Sequence, residues 1–369
     1  MVKHKLDQTV LKIKNRFHIH AISLAVILPG ENKPYLINNG TVQIGSNKKI
    51  SGNNLFQIGS ITKTFTAEIT AKEIANKKLR LSNTVGDFLP QYKKWKSITI
   101  EQLINQTSGI PDYDASHNWW SNLVKNPNRV WSSNELINIS YHMHENFKPG
   151  TAWAYSNTNY VLLGMILEHV QGKSSKMMMQ KLFKEENLDN TYYLVQTYPE
   201  NILKKMIHGY YKKYDQTPIN TSWLQTAGGS VSNPNQIVRW YYSLFNTHNK
   251  TGFPITTFTS FVTTDNGKTT KNISTTGYSF GVFRMNTPEG LIYFTPGLTP
   301  GYTSMVAYAP CLNTYFSYSA SSGLLKGFHK SMLMDIMKIL NQDINIKKIH
   351  TPKYCRNWKY KRRFYFPKI

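Results

Sequence analysis

The sequence predicts an α+β fold: an antiparallel sheet built from both ends of the chain, flanked by N- and C-terminal helices, with an α-rich lobe between them. Three patterns point there. A helix and a hairpin start occupy the first 50 residues, helical periodicity dominates from about 80 to 205, and short strands closed by a helix follow from about 278. The expected boundaries are an α/β lobe of 1–79 and 206–345, an inserted helical lobe of 80–205, and a basic aromatic extension of 346–369. A cleft between two lobes is a common place for an active site.

Each element has its own signal. Residues 6–16 carry Leu6, Val10, Ile13 and Phe17 on one side of an amphipathic helix. AISLAVIL, 21–28, reads as a buried strand, Pro29-Gly30-Glu31-Asn32 as a turn, and 34–38 as the start of a return strand broken by Gly40 and Gly45. ITKTFTAEITAKEIANK, 61–77, repeats Ile61, Phe65, Ile69 and Ile74 at helical intervals, which sets Ser60 at a helix N-terminus. Helices are expected at 98–105, 133–141 and 160–170. Strands are expected at 278–285, 291–295, 302–308 and 315–318, and a last helix at 325–340.

Composition limits the classes. The chain has 369 residues, of which 40% are hydrophobic and 13% aromatic, enough for a sizeable core. No apolar run approaches the roughly 20 residues that span a bilayer. The basic N-terminal stretch MVKHKLDQTVLKIKN is not followed by an apolar signal core. Two cysteines, Cys311 and Cys355, make no disulfide scaffold, and no metal-ligand spacing is present. His18 with His20 and His142 with His144 read as solvated or core residues, so no metal and no cofactor is expected. A net charge of +24 suits an anionic partner such as nucleic acid, an acidic membrane or a cell-wall polymer. Most lysines are dispersed, however, which favours scattered surface charge. The exception is 347–369, with nine Lys/Arg, no acid and interleaved aromatics. That tail could meet an anionic envelope surface; no specific nucleic acid is expected.

Three motifs carry chemistry. In FQIGSITKTF, Ser60 and Lys63 lie one helical turn apart. A serine hydroxyl needs a base, and a lysine with a depressed pKa supplies one. The helix start adds backbone N–H groups for an oxyanion. A second Ser-x-x-Lys, Ser46 to Lys49, sits on a polar turn with no helix behind it and reads as inert. In PGTAWAYSNTNYVLLG, 149–164, Tyr155 can shuttle a proton and Asn157 can donate to a substrate carbonyl or orient the lysine. In TPGLTPGYTSM, 295–305, Pro296 lacks an N–H, which makes its strand an edge on that side, and Gly297 admits a ligand close to the backbone.

The blocks FQIGSITKTFTA, INQTSGIPDY, PGTAWAYSNTNYVLLG, AGGSVSNPNQIVRW and TPGLTPGY resemble, in order and spacing, the class C β-lactamase, D-alanyl-D-alanine carboxypeptidase and serine esterase family of penicillin-recognising enzymes, from about residue 6 to 342. The resemblance implies a two-lobed β-lactamase/transpeptidase-like fold and an acyl-enzyme mechanism. Ser60 would be the nucleophile, Lys63 and Tyr155 would manage its proton, and Asn157, Thr295, Gly297 and Leu298 would bind substrate. The N–H groups of Ser60 and Leu298 would form the oxyanion hole. The implied substrates are a β-lactam, a D-Ala peptide or an ester. Carboxypeptidase action comes first and esterase action second, ahead of a non-catalytic binding protein. The implied location is the periplasm or cell envelope; the absence of a visible signal core keeps the cytoplasm as the alternative. Thr295 stands where the family usually has Lys or His, which removes a partner for a substrate carboxylate; Arg284 and several lysines are candidates to compensate. Gln106 stands for a common histidine and Gln236 for a common aspartate, both in structural positions.

Overall fold

The N-terminal helix α1, Val2–Arg16, buries Leu6, Val10 and Ile13, one face of the heptad-like spacing seen in the sequence. The structure is a computed structural model that describes residues 1–196, 198–245, 261–264, 269–270, 276–323, 325–344 and 355. After α1 come strands β1, Ile22–Ile27, and β2, Tyr35–Asn39. All six residues of β1 are buried, so it is a central strand and not half-exposed. The later strands are β3, Phe261–Thr263, β4, Thr269–Thr270, β5, Gly277–Ser279, β6, Val282–Thr287, β7, Gly290–Thr299, β8, Tyr302–Ala309, and β9, Thr314–Ala320. They form one sheet in the order β2-β1-β9-β8-β7-β6-β5-β3-β4, and every pairing among them is antiparallel. The register Ile22↔Ala320 joins the two chain ends within the sheet, one strand in from its β2 edge.

Helices cover both faces of that sheet. On β9, Tyr315 meets Tyr242 of α4, Pro234–Phe245, while Tyr318 meets Phe328 of α5, Phe328–Asp343. Three residues apart on a strand point to opposite faces, so α4 and α5 sit on opposite sides. A Lys5–Asp343 ion pair at 2.7 Å ties α1 to α5. Between β2 and β3 the chain is mostly helical: α2, Thr62–Ala75, short helices at Val85–Phe88, Ile100–Ile104 and Trp119–Lys125, then Ser133–Tyr141, α3, Asn157–Gln171, and Ser175–Glu185. Capping boxes at Thr84/Asp87, Thr99/Gln102 and Ser132/Glu135 start three of them. Helix α3 is buried over nearly its whole first three turns, with polar Asn157-Thr158-Asn159 at its start and an apolar stretch from Tyr160 to Leu167, the pattern of a helix enclosed by others.

Two strand boundaries differ from the expectation. The strand expected at 278–285 is two strands, β5 and β6, joined by Phe280 and Gly281 at φ 47° and 81°. A two-residue turn with both central φ positive matches hairpin twist, and a phenylalanine gives no sequence sign of it. The strand expected at 291–295 runs on through Pro296 and Gly297 to Thr299. It pairs with β6 only as far as Phe294, while its pairing with β8 continues to Thr299. Pro296 therefore falls where one side of the strand is free of a sheet neighbour. Cys311 and Cys355 form a disulfide. The rest of the basic tail, 346–369, lies outside the described residues.

Candidate active site

The position of Ser60 is made by a glycine that permits a sharp entry and a strand that fills the space behind it. Gly59 has φ +48° and opens the turn Gly59–Ile61 that leads into α2. A Cβ on Gly59 would lie 2.8 Å from both N and O of Leu298, and one on Gly297 would lie 1.9 Å from the carbonyl oxygen of Ile58. The free side of β7 thus lies directly against 58–59. Ser60 is half-buried at that junction, and Leu298 is 39% exposed beside it.

Helix α2 is enclosed, with Lys63, Thr64, Phe65, Thr66 and Ala67 all buried, so Lys63 is withdrawn from solvent. Its ammonium donates three hydrogen bonds: to Ser60 Oγ at 3.1 Å, Asn157 Oδ1 at 2.7 Å and the Ala227 carbonyl at 2.8 Å. These match its three N–H groups. It also lies 4.7 Å from the Tyr155 ring centroid and 5.5 Å from that of Tyr160. Burial drives the Lys63 pKa down to about 7, against the pull of Asp112 and then Asp114, which favour the charged form. The Tyr155 hydroxyl donates to Ser60 Oγ at 2.7 Å. Burial holds the Tyr155 phenol well above its ordinary pKa, so it is a neutral donor at physiological pH.

Asn157, expected to bind substrate, has both amide hydrogens engaged within the protein. Its Nδ2 donates to Asp112 Oδ2 at 3.0 Å and Asp114 Oδ2 at 3.3 Å, and its backbone N–H donates to Asp112 Oδ2 at 2.8 Å. An amide has two N–H donors, and both are taken. Asn157 therefore bridges Lys63 to two carboxylates and presents no free N–H to a ligand. Burial pushes Asp112 up to about 8 and Asp114 up to about 6.

Thr295, also expected to bind substrate, is engaged within the protein. It is 2% exposed, and its hydroxyl donates to Gly281 O at 2.7 Å and meets the Tyr241 hydroxyl at 2.5 Å. Strand periodicity explains this: Thr295 and Leu298 have opposite parity, so with Leu298 at the surface Thr295 faces α4. Arg284, a candidate to replace the missing cation, is 2% exposed and stacks 4.7 Å over Phe261. Gln106 and Gln236 serve as scaffolding. Gln106 Oε1 accepts from Ser156 N–H and Asn159 Nδ2, and Gln236 Oε1 accepts from Asn190 N–H. Ser46 closes its own turn by accepting from Lys48 N–H.

Ser60, Lys63, Tyr155 and Asn157 are thus brought together, with the Leu298 backbone beside them. Asp112, Asp114, Ala227 and Tyr160 complete the cluster and were not singled out in the sequence. Asp112 stands inside the block INQTSGIPDY, as its one acid, between Pro111 and Tyr113.

A helix-covered antiparallel sheet, with a serine, a buried lysine and a tyrosine where the first internal helix begins, defines a protein of the β-lactamase fold. The beta-lactamase family profile matches residues 8–337, and the chain belongs to that family. It is 29% identical to a beta-lactamase of Pseudomonas fluorescens over 215 residues, 57% of this chain and 55% of that one. The chain spans about half the length of the curated relatives it matches. The D-amino acid amidase of Ochrobactrum anthropi SV3, solved with L-phenylalanine amide, superposes with a TM-score of 0.77 at 22% identity, covering 92% of this chain and 97% of that one. A class C beta-lactamase gives 0.75 at 18% identity, covering 91% and 96%. These likenesses are likenesses of fold.

Proposed function

We propose that the protein is a serine hydrolase that works through an acyl-enzyme on small acyl amides or esters. The observation that carries this reading is the buried Lys63 ammonium in contact with both Ser60 Oγ and Asn157 Oδ1. A lysine whose pKa burial lowers to about 7 is half-neutral at neutral pH and can take the serine proton. Ser60 Oγ bonds to the substrate carbonyl carbon as its proton passes to Lys63. The tetrahedral oxyanion lies at the N–H groups of Ser60 and Leu298. The proton then moves, through Tyr155 or directly, to the departing amine or alkoxide as the C–N or C–O bond breaks. Water adds to the ester, returns the serine proton and releases the acid.

The finer reading that the resemblance implies, a D-Ala-D-Ala carboxypeptidase, uses the same residues but asks for a partner to the substrate's terminal carboxylate. The Thr295 hydroxyl is committed to Gly281 and Tyr241. Amide or ester substrates without that carboxylate suit the site better. The Cys311–Cys355 pairing supports an oxidising compartment, in line with an envelope location. Turnover of p-nitrophenyl acetate and of a D-Ala-D-Ala peptide, each beside Ser60→Ala, tests both levels. Ester turnover lost in the variant supports the hydrolase. Equal rates in the two proteins would overturn it, and a peptide rate above the ester rate would restore the carboxypeptidase reading.

A further inference from the structure

Two of the three acceptors around Lys63 are side chains; the third is the Ala227 carbonyl, 2.8 Å from Nζ. The direction of that carbonyl bears on the chemistry. A neutral lysine amine has two N–H donors and one lone pair. Asn157 Oδ1 at 2.7 Å and Ala227 O at 2.8 Å take the two donors, which leaves the lone pair facing Ser60 Oγ, 3.1 Å away. With one fixed acceptor instead of two, the amine is free to turn about its C–N bond and the lone pair leaves the serine hydroxyl. Ala227 lies in a single helical turn, Gln225–Gly228, and carbonyls at the end of a helix lack an intrahelical partner. Ala227 is fully buried, so Lys63 supplies the donor that its carbonyl needs.

The entry to that turn is strained. Gln225 follows the turn Thr221–Leu224 at φ 42° and ψ −136°. This is the mirror of the extended region, where glycine is at ease and a residue with a Cβ is not. Such a residue persists only where its surroundings over-determine it. Here they act through the side chain. Gln225 is 8% exposed, its Nε2 donates to the Trp131 carbonyl at 2.5 Å, and the Tyr193 hydroxyl donates to its Oε1 at 3.5 Å. Trp131 is itself fixed: its N–H donates to Ser222 Oγ at 2.9 Å, and the Arg129 guanidinium stacks 3.6 Å over its ring. The Gln225 carbonyl accepts from Gly229 N–H at 2.7 Å and closes the turn that carries Ala227. Thr226 ties the same turn to α2 and α3, since its carbonyl accepts from Thr66 Oγ1 at 2.7 Å and its Oγ1 donates to the Tyr160 carbonyl at 2.8 Å.

We infer that Gln225 is a positioning residue for the proton transfer: its side-chain amide holds a backbone conformation that aims the Ala227 carbonyl at Lys63, and so aims the lysine lone pair at Ser60. The inference rests on the hydrolase reading and adds to it a residue that acts through the backbone. A glycine would adopt the same dihedral angles without strain, but no side chain would hold them. Asp112, Asp114, Tyr155 and Tyr160 are the charged and titratable groups that face Lys63, and the Gln225 amide bonds none of them.

The test compares Gln225→Met, which keeps the strain and removes the amide, with Gln225→Gly, which removes both, in p-nitrophenyl acetate hydrolysis from pH 5 to 9. In Gln225→Met, kcat is expected to fall about 10- to 100-fold, the cost of a small displacement of an oriented group. KM should stay within about twofold, because no substrate contact is lost. The ammonium loses an acceptor that favours its charged form, so the midpoint of the pH profile should move to lower pH by about one unit. Gln225→Gly should recover part of both effects. A purely structural role moves Tm and leaves kcat and midpoint at their native values in the folded variant, and that result overturns the inference. Where circular dichroism shows Gln225→Met unfolded, the glycine variant decides alone. A folded Gln225→Gly with native kcat and midpoint overturns the inference; a lowered kcat with an acid-shifted midpoint supports it. No ester turnover in the native protein overturns the hydrolase reading and this inference with it.

Discussion

The residue that takes the Ser60 proton can be identified by a pH profile. Two candidates touch Ser60 Oγ: Lys63 at 3.1 Å and Tyr155 at 2.7 Å. Burial acts on them in opposite senses. It penalises the charged form of each, so it lowers the lysine to about 7 and raises the tyrosine well above 10. The base must be unprotonated. Neutral Lys63 rises from about 1% at pH 5 to about 90% at pH 8, so kcat/KM should climb about 90-fold across that interval with a midpoint near 7. Asp112 and Asp114 titrate in the same range, so the limb belongs to the three groups together. Tyr155→Phe removes one donor to Oγ and should lower kcat by about 10²- to 10⁴-fold, the usual value of one general acid–base group, while the midpoint stays put. The assay is p-nitrophenyl acetate hydrolysis from pH 5 to 9, with stability checked at each pH. A limb that disappears in Tyr155→Phe, or a native rate still climbing beyond pH 9, would make the tyrosine the base and refute the assignment to Lys63.

Other expectations follow from contacts around the nucleophile. Gly297→Ala puts a Cβ 1.9 Å from the Ile58 carbonyl and should cost about 1–3 kcal/mol or more in thermal or denaturant unfolding, with loss of activity because 58–60 must move. Gly281→Ala meets Lys63 C at 3.0 Å at a φ of +81°, and should cost about 1–2 kcal/mol and lower kcat; an unchanged protein would mean that this turn does not brace α2. Thr295→Val leaves the Gly281 carbonyl and Tyr241 hydroxyl without their partner and should lower stability by about 1–3 kcal/mol, read as a drop in Tm. Replacing both Cys311 and Cys355 by serine frees a separation of 44 residues, for which loop-closure entropy gives an upper value of about 4 kcal/mol. Acylation of Ser60 should survive that change below the lowered Tm.

Much of this was legible in the sequence, for a physical reason. α1 and α5 each bury a regular face, and period survives in a linear string; β1 reads from an unbroken apolar run, and α2 from evenly spaced apolar residues. Ser60 and Lys63 are three residues apart on one helix, so their contact is local and readable. The Asn157–Asp112 and Asn157–Asp114 contacts join residues 45 and 43 positions apart and depend on how the 106–114 loop crosses the start of α3. No periodicity records that. Thr295 was legible as a missing cation but not as an inward side chain. That orientation follows from β7 running on to Thr299, and Pro296-Gly297 read more readily as a turn. The hairpin at Phe280-Gly281 was hidden because a β-forming residue occupies its left-handed corner.

The central claim is that Ser60 is acylated. Intact-mass measurement of protein quenched during reaction with p-nitrophenyl acetate or a fluorescent penicillin, followed by peptide mapping, tests it most directly. The expected result is one acyl adduct on the peptide containing Ser60, absent from Ser60→Ala. An adduct of equal amount in Ser60→Ala, or one that maps to another residue, would contradict it.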